Sequence, residues 1–83
     1  IRGARALVTG ASEGIGAALA RQLAEAGARV VIAARQREKL AQVSGGKMQI
    51  EATDLTDPAE RARLAEAAGE VDLLVNNAGM GLY

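Results

Sequence analysis

No cysteine and no histidine occur among the 83 residues. The first absence removes disulfides and thiolate metal sites. The second removes the commonest zinc ligand, the usual neutral-pH base and every histidine-based catalytic triad. Phenylalanine and tryptophan are missing as well, and Tyr83 is the single aromatic residue. The hydrophobic fraction of 49% is therefore met in large part by alanine, which implies a thin core. Ten basic and ten acidic residues cancel, so the chain has no strong field to draw it to nucleic acid or to an anionic membrane. No apolar run approaches the ~20 residues needed to span a bilayer, and no basic-then-apolar leader is present. The expectation is a soluble, cytoplasmic protein with neither nucleic acid nor membrane as partner, in which local charge carries any anion recognition. The length allows one compact unit and no second complete domain.

What is present is a repeated cycle of apolar strand, turn, helical pattern and terminating glycine, the alternation expected of a parallel sheet. Residues 4–9 read as the first strand. Residues 14–26 follow as a helix with Ile15, Leu19, Leu23 and Ala26 on one face, Arg21 and Glu25 on the other, and Gly27 where a left-handed cap belongs. Residues 29–34 form a second strand whose run Val30, Val31, Ile32 lacks alternation, as in a strand covered on both faces. A short charged helix over 36–43 ends at Ser44, Gly45 and Gly46, and a third strand spans 47–52 with Met48 and Ile50 pointing one way. Asp57 opens a third helix, with Pro58 at its first position and Glu60 completing a capping-box-like start, and Gly69 stops it. Residues 71–75 are the fourth strand, followed by a loop from Asn76 to Gly79.

The strongest chemical signal lies between the first strand and the first helix, in Thr9-Gly10-Ala11-Ser12-Glu13-Gly14-Ile15-Gly16. Gly10 permits a tight turn off the strand, Gly14 lets the main chain approach a pyrophosphate, and Gly16 allows close packing of helix on strand. The helix N-terminus then offers unpaired N–H groups and the positive end of its dipole to phosphate.

At this loop the chain resembles the short-chain dehydrogenase/reductase family, whose signature T-G-x-x-x-G-x-G it meets at every fixed place. Two further matches extend the resemblance over essentially the whole chain: Asn76-Asn77-Ala78-Gly79 after the fourth strand, and Asp54-Leu55 after the third. The resemblance implies an α/β, Rossmann-type doubly wound parallel sheet, here partial, with strand order 3-2-1-4. It implies that residues 1–83 are the cofactor-binding half-domain, truncated before the catalytic region. Gly10, Ser12, Glu13, Gly14, Ile15 and Gly16 would form the cofactor-binding turn. Asp54 and Leu55 would touch the adenine ring, while Asn76, Asn77, Ala78 and Gly79 would line the ribose and tie neighbouring strands together.

A unit that binds NAD ends its second strand with a carboxylate for the ribose 2′-hydroxyl, about 20 residues past the glycine loop. Here that place holds Ala34, and Arg35 follows, with Arg37 nearby. A guanidinium fork suits a 2′-phosphate, so NADP(H) is the expected cofactor and NAD(H) the secondary one. Glu13 stands where many NADP-preferring relatives carry a base. Arg37, Glu38 and Lys39 read mostly as a solvated face.

The family's chemistry is hydride transfer to a carbonyl or from an alcohol of a small-molecule substrate, by way of a serine and a Y-x-x-x-K pair. No lysine follows Tyr83, so no catalytic residue is assigned. The expected whole is a carbonyl reductase or alcohol dehydrogenase, longer than this chain and homo-oligomeric. The intact Asn76–Gly79 sequence argues against an extended-type epimerase or dehydratase. A non-catalytic NAD(P)-binding or redox-sensing module is the alternative from another class, because fold alone does not decide turnover. Finally, Leu73, Leu74 and Val75 are expected to form an apolar strand left open at the sheet edge, prone to aggregation.

Overall fold

The computed structural model describes residues 2–12 and 14–76. Four strands, β1 (Arg5–Thr9), β2 (Arg29–Ala34), β3 (Gln49–Ala52) and β4 (Leu73–Asn76), alternate with three helices, α1 (Gly14–Glu25), α2 (Arg37–Ser44) and α3 (Pro58–Ala68). All strand pairings are parallel and the order is β3-β2-β1-β4, as expected from the cycle of elements. Thr9 pairs with Ala33 on one side and Asn76 on the other, so the C-terminal ends of β1, β2 and β4 lie level.

Helices cover both faces, which is why the central strands read as unbroken apolar runs. Ala6 and Val8 of β1 and Val30, Ile32 and Ala34 of β2 pack against Ala17, Ala20 and Leu23 of α1 and Leu40 and Val43 of α2. The alternate residues Leu7, Val31 and Ala33 meet Leu64 and Ala68 of α3. Met48 and Ile50 both pack toward the α1/α2 side, as their spacing predicts.

The inner face of α1 differs from the one read off its large residues. Gly16, Ala17, Ala20 and Leu23 are buried, whereas Ile15 is 74% exposed and Ala26 is exposed. Small side chains hold these positions because the helix lies directly on the sheet; the alanine-rich composition reflects that close approach more than a poor core. The helix ends as expected. Gly27 takes φ 98°, its N–H donates to the Ala24 carbonyl, and the Ala28 N–H reaches back to Leu23, a Schellman ending.

The start of α3 departs from the capping-box expectation in one bond. Asp57 caps it, accepting from the Ala59 N–H at 2.9 Å. Glu60, however, accepts from the Asp54 N–H at 2.7 Å, because the Asp57 N–H already donates to the Asp54 carbonyl. The carboxylate therefore braces the preceding loop instead of closing the cap on itself. Several element bounds also shift, and two of the shifts have a visible cause. β3 begins at Gln49, since Lys47 and Met48 are drawn into a turn by bonds from their N–H groups to Ser44. β4 runs to Asn76, which pairs with Thr9 and so belongs to the strand, not to the loop after it.

Candidate functional site

Where the strands end, a crevice of about 1100 Å³ opens between the tip of β1 and the turns that follow β2 and β3. Small-molecule sites occupy about 300–1,000 Å³, so the space is adequate for an extended ligand. In an open α/β sheet this is the expected place, beside the point where chain order reverses between β1 and β4.

The floor is built from the β1 end. Gly10 turns the chain with φ 67°, and its N–H donates to the Ala33 carbonyl at 2.9 Å. Gly14 opens α1 with φ 66°, and a Cβ built there would meet no protein atom within 4 Å. The restriction at Gly14 is thus backbone conformation, with open space beside its Cα among the described residues. Ser12 is half-buried and lines the crevice, Gly16 is buried beneath it, and Ile15 stands out into solvent at the helix start.

The wall toward β4 is tied by Thr9, which is buried. Its hydroxyl lies 3.1 Å from Asn76 Oδ1 and 3.3 Å from the Val75 carbonyl oxygen, and it donates across this strand junction. Asn76 therefore does join adjacent strand ends, with Thr9 as the partner. Glu13, Asn77, Ala78 and Gly79, the other expected site residues, lie outside the described residues.

The opposite wall is cationic. Ala34 is buried at the end of β2, its carbonyl held by the Thr53 N–H at 2.7 Å, and Arg35 emerges exposed at the tip. Asp54 and Leu55 face it from the β3–α3 turn. Asp54 Oδ1 accepts from the Thr56 hydroxyl at 2.6 Å and the Thr56 N–H at 3.0 Å. These two bonds hold the Asp54 carboxyl below its ordinary range against the opposing effect of desolvation, with the Arg35 charge as the smallest contribution. Arg35 and Asp54 both line the crevice. Leu55 is fixed by Arg61, whose guanidinium donates to its carbonyl at 2.8 Å.

Several crevice residues lie outside the site expected from sequence, among them Thr9, Lys39, Thr56 and Arg61. Thr9 belongs to the T-G signature and was legible there. Lys39 carries a weaker signal, its spacing of four from Arg35. Arg61 has none, because its placement depends on how the Leu55 turn meets α3. Arg37 is not among the lining residues.

Arg35, Lys39 and Arg61 line the crevice together with Asp54. The crevice offers backbone N–H groups at a helix start, a guanidinium, and hydroxyl and carboxylate acceptors. That donor set fits a dinucleotide phosphate with its adenosine half. Among the described residues, no group of three metal-ligating side chains converges, and no helix is long and apolar enough to cross a membrane.

Comparison with known proteins agrees with this geometry. A family model described as short chain dehydrogenase matches residues 4–82. The rhamnolipid-biosynthesis 3-oxoacyl-[acyl-carrier-protein] reductase of Pseudomonas aeruginosa is 47% identical over 88 residues, covering 95% of this chain and 34% of its own length. A solved short chain dehydrogenase/reductase family protein superposes with TM-score 0.89 at 42% identity, over 94% of this chain and 34% of its own. A metagenomic short-chain oxidoreductase solved in complex with NADP gives TM-score 0.79 at 46% identity, over 95% of this chain and 40% of its own. The chain thus spans about a third of the length of the curated relatives it matches. With the glycine turn, the strand order and a family match over nearly every residue in agreement, the chain belongs to the short-chain dehydrogenase/reductase family.

Proposed function

We propose that these residues are the dinucleotide-binding segment of an NADP(H)-dependent carbonyl reductase or alcohol dehydrogenase. The carrying observation is the tip of β2, where Ala34 is buried and Arg35 stands exposed at the crevice in place of a carboxylate. When bound, the nicotinamide supplies or takes up a hydride. This chain's residues bind and orient. Gly10, Ser12 and Gly14 receive the pyrophosphate, Arg35 takes the 2′-phosphate, Asp54 and Leu55 flank the adenine, and Asn76, held by Thr9, fixes the strand end beside the ribose. Glu13, Ile15, Gly16, Asn77, Ala78 and Gly79 belong to the same proposed site through the family pattern.

The acyl-carrier-protein reductase and the NADP-bound oxidoreductase among the relatives support both the reaction class and the cofactor. Family membership also supports a small-molecule carbonyl or alcohol substrate, a homo-oligomer and a cytoplasmic location. Calorimetric titration of the protein at its natural length with NADPH and NADH tests the cofactor. NADPH should bind at least about tenfold more tightly, and Arg35→Ala should remove most of that difference, the effect of a charge-assisted phosphate contact. Equal binding of NADH, unchanged by Arg35→Ala, would overturn the assignment. Loss of NADPH absorbance with a panel of ketones and aldehydes tests turnover, and binding without any turnover would make the protein a sensor or binding module.

A further inference from the structure

Asp54 and Leu55 stand in the short connection between β3 and α3, and segments of this kind are ordinarily the mobile part of a fold. Here their main chain is engaged at three points. The Asp54 N–H donates to Glu60 Oε1 at 2.7 Å, the Asp57 N–H donates to the Asp54 carbonyl at 3.1 Å, and the Arg61 guanidinium donates to the Leu55 carbonyl at 2.8 Å. The first and the last involve a charged group and are stronger than a neutral pair.

Glu60 stands apart from the others. Arg61 lines the crevice together with Asp54, Leu55 and Thr56, but Glu60 does not. It lines a separate hollow of about 460 Å³ between β3 and α3. Its carboxylate therefore holds Asp54 without standing where a ligand of the crevice would lie. Capping does not account for the bond either. Asp57 already caps α3 through the Ala59 N–H, and its own N–H is taken by the Asp54 carbonyl.

What the hold presents to the crevice is an acceptor. The two Thr56 bonds keep the Asp54 carboxyl below its ordinary range, so at neutral pH it is ionised and can only accept. Such a group suits the exocyclic amine of a purine and is mismatched to a carbonyl in the same place. The match depends on where the main chain sets the carboxylate, because hydrogen bonds weaken steeply once bent or stretched.

We infer that Glu60 is a positioning residue for the adenine end of the crevice: by holding the Asp54 main chain it keeps the Asp54–Leu55 wall in its binding place, and so sets affinity and base preference without touching the ligand. The inference rests on the reading above that Asp54 and Leu55 flank the adenine. A wall ordered in advance costs less to order on binding.

The test compares NADPH with reduced nicotinamide hypoxanthine dinucleotide phosphate, whose base carries a carbonyl in place of the amine, by calorimetric titration of the natural-length protein. The unaltered protein should prefer the adenine form by about tenfold. Glu60→Ala should weaken NADPH by about tenfold and its hypoxanthine counterpart by no more than about threefold, so that the preference narrows. Glu60→Gln keeps an acceptor oxygen and should stay within about threefold of the unaltered protein for both ligands. Asp57→Ala removes the side-chain cap of α3 and lowers the melting temperature, but should move neither ligand by more than about twofold. Equal losses for the two ligands in Glu60→Ala overturn the inference, as does a matching loss in Asp57→Ala, since loosening of α3 would then explain both. An unaltered protein indifferent to the base overturns it too, by removing Asp54 as the group that reads the amine. A parallel titration in which NADH binds as tightly as NADPH ends the NADP(H) assignment alone, because the two ligands compared carry the same phosphates. If no dinucleotide binds, both fall.

Discussion

The two faces of the sheet are built from the same strands but are covered to different degrees. On one, α1 and α2 lay Ala17, Ala20, Leu23, Leu40 and Val43 against alternate residues of β1 and β2, and Val8, Ile32 and Leu40 are sealed. On the other, α3 sends only Leu64 and Ala68 into the buried cluster, against Leu7, Val31 and Ala33. β4 carries the contrast to the edge. Leu74, opposite Leu7, points to the α3 side and is 58% exposed, while Val75, opposite Val8, packs toward α1. The comparison teaches that the face under α1 and α2 is the more fully packed within these residues, whereas the α3 face draws less of its stability from them. The candidate crevice bridges the two, with its floor on the well-packed side and its Asp54–Leu55 wall on the other.

Truncations in the two clusters test that difference most strongly. Ile32→Ala, at a fully sealed site between β2 and the α1/α2 layer, should cost about 3 to 4 kcal/mol in urea denaturation. Leu64→Ala, in the smaller cluster, should cost about 2 kcal/mol because its surroundings can relax toward solvent. A reversed order would show that the α3 face is the better packed.

The join between α3 and β1 is a sharper point. Arg5 donates through its guanidinium to the Ala68 carbonyl at 2.9 Å, and its N–H bonds Asp72, which sets the approach of β4. Gly69 sits against it with φ 70° and ψ −152°, and an added Cβ would lie 2.7 Å from Arg5 Nη1. Gly69→Ala should therefore cost about 2 kcal/mol, from a backbone region that is essentially glycine-only. Gly14→Ala, whose Cβ would meet no protein atom within 4 Å, should cost about 1 kcal/mol from its positive φ while weakening dinucleotide binding far more than stability suggests. Thermal melts beside NADPH titrations separate the two glycines. Equal losses of stability and binding at both would remove the special place of Gly14.

At the exposed edge, Leu74→Lys should change stability by no more than about 0.5 kcal/mol and raise solubility, measured by light scattering at increasing concentration. A large loss of stability would mean that Leu74 is covered in solution. The smallest effect concerns Asp54. Its folded carboxyl titrates below the ordinary value of 3.8, so its contribution is whole above that pH and is lost as pH falls through the lower folded value. Melting temperatures of the unaltered protein and Asp54→Asn should therefore converge as the solution is acidified below pH 3.8. A gap that widens on acidification would reverse the sign of this linkage.

Much of the site was legible before folding. Gly10 and Gly14 owe their places to backbone constraints and Gly16 to close packing, which a spacing pattern carries directly, and Ala34 followed by Arg35 is visible where a carboxylate would otherwise end β2. Asn76 as a strand tie was legible too, from an amide at a strand end, although its partner Thr9 came only with the β1–β4 register. Ile15 shows the limit. Hydrophobic size assigned it to the inner face of α1, but the distance between helix and sheet, which no local pattern encodes, gave that face to Gly16, Ala17 and Ala20.

By itself the sequence determined the order and kind of the elements, the parallel sheet and the phosphate-binding turn, because apolar periodicity and glycine placement act over a few residues. Only the tertiary structure decided which charges share a wall. Arg35 and Lys39 come to share the crevice with Asp54 and Arg61 only because β2 and β3 pair and bring the turns that follow them together, whereas the Glu60–Asp54 and Arg61–Leu55 bonds, each between residues six apart, are local.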